Sequence, residues 1–130
     1  MARIEVPVSA GELVDKVTIL EIKSQRITDA GKLANIRSEL AGLTAILGPM
    51  LAAAPALSER KAALRAVNET LWQIEDEIRE CERDKDFGPR FVELARSVYR
   101  TNDRRSACKR GIDALLGSEI VEEKSYTAYD

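Results

Sequence analysis

Residues 89–116 read PRFVELARSVYRTNDRRSACKRGIDALL, and the helix they encode sets the plan of the whole chain. Phe91, Leu94 and Val98 recur at helical spacing, and the apolar stripe resumes at Cys108, Ile112 and Leu115. Between these it breaks at Thr101, Asn102 and Arg105, inside the run Tyr99-Arg100-Thr101-Asn102-Asp103-Arg104-Arg105. A core-facing helix does not normally set asparagine and arginine on its inner stripe, because burying them unpaired is costly. Either a neighbouring segment pairs them, or they line a site.

Working outward, Asp86-Phe87-Gly88-Pro89 breaks the helical pattern on the N-terminal side, with Pro89 suited to a first helical turn. Gly117 suits the cap at the other end. Upstream, a third helix is expected over about 58–85. Its residues Leu64, Val67, Leu71, Ile74, Ile78 and Cys81 alternate spacings of three and four, a coiled-coil-like seam. So short a turn makes helices 3 and 4 antiparallel neighbours, each roughly 40 Å long at 1.5 Å per residue. Folding the hairpin about Phe87 sets Asn68 level with Arg105, Leu71 with Asn102, Trp72 with Thr101 and Glu75 with Val98.

A second stripe on helix 3, Asn68, Trp72, Glu75 and Arg79, then faces the interruption. Glu75 is expected to accept from Asn102 or an arginine, and Asn68 to meet Arg105. Two readings follow. In the first, these groups form a satisfied polar layer that fixes helix register. In the second, they line a pocket for an anionic small molecule, phosphorylated or carboxylated. Arg104, Arg105 and Lys109 then supply the cations, Glu75 and Asn102 orient the ligand, and Asn68 and Trp72 complete the wall.

The first half of the chain supplies two more helices. Ile4-Glu5-Val6-Pro7-Val8 reads as a short extended segment, with Pro7 confining it to an edge or to irregular structure. Ser9-Ala10-Gly11-Glu12 fits a capping box, with the Glu12 carboxylate returning to Ser9. Helix 1 follows over about 10–27, with Leu13, Val17, Leu20 and Ile27 on one stripe and Val14 and Ile22 widening it. Glu12 and Lys16 stand at i, i+4 in the favoured order. After a turn at residues 28–31, helix 2 is expected over 32–47, ended or kinked by Gly48-Pro49. Residues 50–57 form a small-residue, apolar connection with room for one more helical turn, suiting either a packed corner or part of a subunit contact. Residues 118–130 suit either a tail or an extended segment paired with residues 4–8.

Composition narrows the chemistry. The 130 residues are 45% hydrophobic and 32% charged, with a formal net charge of −2, which suits one soluble domain with its own core. That balance argues against a dedicated nucleic-acid binder, and the arginines at 96, 100, 104 and 110 lack aromatic interleaving. With no histidine, there is no Ser-His-Asp or Cys-His relay and no His-containing zinc site. Cys81 and Cys108 fall singly on apolar stripes and read as small buried hydrophobes. The run Glu75-Asp76-Glu77 suggests magnesium, but Asp76 and Glu80 read more simply as a solvated pair, so no metal and no cofactor is assigned. The start of the chain lacks a signal-peptide core, and residues 45–57 are too short to span a bilayer, so no membrane association and a cytoplasmic location are expected.

Several segments resemble one bacterial family catalogued only as a domain of unknown function: VPVSAGELVDKVTILEIK, LWQIEDEIRE, FGPRFVELARSVYRTNDRR and the ending GSEIVEEKSY. This resemblance spans nearly the whole chain and implies no activity. The LW-x-x-ED segment, with the later ND-x-R and Lys109-Arg110-Gly111-Ile112-Asp113, is also similar to a second uncharacterised helical family. Asp15 to Arg26, DKVTILEIKSQR, resembles the first helix of AroQ-type chorismate mutases, which would make Arg26 the cation meeting a dianionic substrate. The chain departs from that pattern downstream, where the next candidate, Arg37, follows after only eleven residues. The all-helical nucleoside-triphosphate pyrophosphatases need clustered carboxylates on two helices, and helix 4 offers only Asp103 near the site.

The expectation is therefore a single all-α domain over 1–130, a four-helix bundle dominated by the helix 3/helix 4 hairpin, with short extended ends. A hairpin that outreaches helices 1 and 2 calls for a homodimer that covers part of its seam. The leading functional expectation is a self-associating or protein-partner-binding module without catalysis. The alternative is binding or conversion of an anionic small molecule at the polar layer, and the sequence does not decide whether the chain is an enzyme.

Overall fold

The computed structural model describes residues 3–129; Met1, Ala2 and Asp130, the ends of the expected domain and tail, lie outside the described residues. Four helices follow in order: α1 (Ala10–Arg26), α2 (Ala30–Ala53), α3 (Leu57–Arg83) and α4 (Pro89–Leu116). Among the described residues there is no strand, so residues 118–129 do not pair with the N-terminal segment. The most extensive packing is between α3 and α4, as the hairpin reading requires. α1 packs against all three other helices, while α2 leans mainly on α1.

The hairpin turn is built by local chemistry. Beyond α3, Lys85 adopts a left-handed conformation (φ 56°). The Asp86 N–H then donates to the Cys81 carbonyl at 2.9 Å, and the Lys85 N–H to Glu82 at 3.2 Å. This double bond pattern is the Schellman cap, which satisfies carbonyls a helix end leaves orphaned. Asp86 Oδ1 accepts from the Gly88 N–H at 3.1 Å, and Pro89 opens α4. At the far end Gly117 takes the left-handed position (φ 62°), and the Ser118 N–H returns to the Asp113 carbonyl at 2.9 Å.

The core gathers where α3 begins and α4 ends. Val14 and Val17 of α1, Leu47 of α2, Leu57 and Leu64 of α3, and Ile112 of α4 form one buried cluster. Fully burying each such side chain is worth about 1.5–3 kcal/mol. Farther along the hairpin, Ile74 and Cys81 are also buried. Cys108 is half-buried against the core, and both thiols are free.

Three expectations are corrected. α2 neither starts at Lys32 nor ends at Gly48-Pro49. Asp29 caps it by accepting from the Lys32 N–H at 2.8 Å, and the helix runs through Pro49 to Ala53. An internal proline costs about 3 kcal/mol. Burial of Leu47, with Leu43, Met50, Leu51 and Ala54 packed on the same core, holds the helical spacing across it. At the start of α1, Ser9 Oγ accepts from the Glu12 N–H at 3.1 Å, but the Glu12 carboxylate does not return to Ser9. It reaches Lys109 on α4 at 2.7 Å. Lys16, expected to pair with Glu12, pairs instead with Glu39 of α2 at 3.0 Å.

Candidate functional site

The interruption in α4 is answered mainly by α1. Asp15, 1% exposed, lies among the polar groups of three helices. It accepts from Asn68 Nδ2 on α3 at 2.9 Å and from Arg105 Nε on α4 at 3.0 Å, and a second Arg105 nitrogen completes a forked contact with its other oxygen. Asn68 also donates to the Thr18 hydroxyl at 2.9 Å, and that hydroxyl donates to the Asp15 carbonyl at 2.8 Å. The hydrogen bond to Asp15 raises the pKa of Arg105, so the guanidinium stays charged. A forked arginine–carboxylate contact of this kind combines strength with fixed geometry.

A second cluster ties α1, α4 and the tail together. The backbone N–H of Gly11, in the first turn of α1, donates to Asp113 Oδ1 at 2.6 Å. Asp113 is buried, and its carboxylate stands at the positive end of the helix dipole. One turn earlier on α4, Lys109 is buried between Glu12 at 2.7 Å and Glu122 at 2.8 Å. Burial alone lowers the Lys109 pKa, but the hydrogen bonds to Glu12 and Glu122 outweigh it and the net shift is upward. The hydrogen bond from Lys109 lowers the pKa of Glu122.

The seven residues singled out in the sequence therefore do not form one site. Asn68 and Arg105 meet as expected, but through Asp15 rather than directly. Lys109 belongs to the cluster at the start of α1. Glu75 accepts neither from Asn102 nor from an arginine of α4; it pairs with Arg79 on its own helix, where i, i+4 geometry is cheaper than reaching across. Four of the seven, Asn68, Trp72, Glu75 and Arg105, do line one groove of about 390 Å³, together with Ile19 and Ile22 of α1 and Leu71 of α3. Asn102 lines a different cleft, with Val98 and Tyr99 of α4 and the tail residues 124 and 126–129. Arg104 is exposed beside Arg100, in a cleft of about 740 Å³ with Thr70, Ile74 and Thr101. Arg26 stands exposed in the last turn of α1.

Sequence reasoning missed Asp15, Thr18, Glu12 and Glu122 as partners. One signal was present: Asp15, Thr18 and Ile22 recur at i, i+3 and i+7, a partly polar line beside the apolar stripe of α1. Among the described residues, every fully occluded side-chain nitrogen or oxygen has a hydrogen-bond partner. No group of three or more His, Cys, Asp or Glu side chains gathers there as a metal-ligand set. No described helix is long and apolar enough to cross a membrane. Compared with protein-family models, with curated proteins and with solved structures, the chain finds no match.

Proposed function

We propose that the chain is a helical module that acts by associating with a second copy of itself and catalyses no reaction. The observation that carries this reading is the surface of α2. From Leu40 to Leu57 the sequence holds no charged residue, yet Leu47 is the sole buried residue described on α2. Ile46 is 59% exposed, and Ala41, Ala45, Gly48 and Ala52 are exposed at helical spacing. A helix that is apolar on all sides is normally covered on all sides, and α1 covers only one side of this one. Small side chains also permit close approach of a second helix. The hairpin seam is a weaker dimer surface than expected, because Ile74 and Cys81 are already buried.

The polar layer supports the non-catalytic half of the reading. Arg105 and Lys109, two of the three expected cations, are neutralised by acids of the same chain. We also propose membership of the uncharacterised bacterial family whose segments the chain resembles, and a cytoplasmic location, which suits two free thiols. Light scattering tests the association. A dimer at micromolar concentration is expected, and Ile46→Glu should yield a monomer with unchanged helix content by circular dichroism. A wild-type monomer at that concentration sinks the proposal.

A further inference from the structure

Among the described residues three arginines of α4, Arg100, Arg104 and Arg110, remain without an acid, and the first two share one cleft. Arg100 and Arg104 stand at i, i+4, where like charges repel, and neither makes an ion pair or side-chain hydrogen bond among the described residues. The one acid lining their cleft, Asp103, accepts from the Tyr129 hydroxyl at 2.6 Å. The lining thus carries two positive charges against one negative. Arginine forks match the oxygens of a phosphoryl group, and a pair one turn apart offers two such forks.

A second observation points into the same cleft. Thr101 lies between the two arginines and is 3% exposed, yet its hydroxyl has no hydrogen-bond partner among the described residues. Helical threonine and serine commonly donate back to the carbonyl four residues earlier. Two hydroxyls of this cleft do so: Ser97 to Glu93 at 2.9 Å, and Thr70 to Ala66 at 3.1 Å. Thr101 does not. Nor is its hydroxyl sealed, since no fully occluded side-chain oxygen of the described residues lacks a partner. Thr101 is itself one of the residues that line the cleft. A hydroxyl on a residue this buried, with its donor unused by the fold, is available to a bound acceptor.

We infer that this cleft between α3 and α4 binds the phosphoryl group of a small phosphate monoester, held by Arg100, Arg104 and the Thr101 hydroxyl. Ile74 and Ala107 supply an apolar wall for the organic part, and about 740 Å³ accommodates a ligand of ordinary metabolite size. The inference goes beyond the self-association reading and is independent of it, since it concerns α4 and not α2.

Phenyl phosphate titrated into the full chain at constant ionic strength, followed by amide shifts in 1H–15N spectra, tests it. Saturable shifts confined to residues around 100–104 and 70–74 are expected, with phenylacetate at least tenfold weaker. Arg100→Gln with Arg104→Gln should weaken binding tenfold or more, while Arg110→Gln, outside the cleft, leaves it unchanged. Thr101→Val should weaken binding several-fold while the melting temperature holds or rises, a combination that a purely structural hydroxyl would not give. Absence of saturable shifts, equal binding of phenylacetate, or full binding by the double variant overturns the assignment.

Discussion

The Gly11 N–H donates to Asp113 Oδ1 at 2.6 Å across 102 positions of sequence, joining the first turn of α1 to the last turn of α4. The glycine is required by the close approach. A Cβ at residue 11 would lie well inside van der Waals contact of the Lys109 carbonyl oxygen and 2.9 Å from Asp113 Oδ1. The first of these is backbone and cannot swing aside. Gly11→Ala should therefore cost about 3–5 kcal/mol, combining overpacking with a weakened charge-assisted hydrogen bond. Asp113→Asn, which keeps an acceptor but loses the charge at the helix terminus, should cost only about 0.5–1 kcal/mol. Urea denaturation of the two variants checks the contrast, and similar losses would show that close approach is not the cause.

The Asp15–Arg105 pair makes a sharper prediction. Arg105→Met leaves a nearly fully buried carboxylate without its cation, and should cost roughly 3–5 kcal/mol. Asp15→Leu alone strands the arginine and part of Asn68. The double variant removes both charges and should be more stable than either single variant, giving a coupling energy of about 1–3 kcal/mol in a double-mutant cycle. Additive losses would mean that the two side chains do not depend on each other.

Lys85 offers a stabilising change. Its left-handed conformation at the end of α3 strains any residue with a Cβ by about 1–2 kcal/mol. Lys85→Gly removes that strain and returns part of the gain as unfolded-chain entropy, for a net stabilisation of about 0.5–1 kcal/mol. Thermal melts should show a higher midpoint; an unchanged or lower midpoint would show that the lysine side chain contributes more than its backbone costs.

The attachment of the tail should depend on pH at both extremes. The Glu122 pKa is lowered in the fold, so its contribution is complete above the ordinary carboxylate value and fades as pH falls through the folded value. The Lys109 pKa is raised above 10.5, so its contribution is complete below that value and fades as pH rises through the folded one. Docking of residues 119–129 should thus be constant across neutral pH and weaken in strong acid and strong base. Amide shifts of Glu122 to Tyr129 followed against pH report it, and Glu122→Gln should flatten the acid limb.

The hairpin was legible because its determinants are local. The alternating seam from Leu64 to Cys81, the break at Asp86-Phe87-Gly88-Pro89 and the glycine at 117 each act within a turn or two of their own position. The path of α2 through Pro49 was legible only as an alternative to a helix end, because the core contacts of Met50 and Leu51 that sustain it come from other helices. The same distinction divides the polar groups. Hairpin arithmetic brought Asn68 beside Arg105, but their shared acceptor, Asp15, arrives on a helix more than fifty residues away. In the sequence Lys109 reads as a ligand-binding cation, because neither the docking of Glu12 nor the return of Glu122 leaves a periodic trace there.

The remote clamp between Gly11 and Asp113 also bears on the order of folding. α3 and α4 are joined by a tight turn and can zip with short-range contacts, whereas α1 must close a loop of about a hundred residues to reach α4. Until it does, the Asp15 carboxylate and the Gly11 N–H lack the partners they have in the fold, and the Lys109 ammonium has Glu122 but not Glu12. Partial docking would desolvate these groups without pairing them, so arrival of α1 should be a late, concerted step. Chevron analysis should then find that Val14→Ala mainly accelerates unfolding, while Ile74→Ala, within the hairpin, mainly slows folding.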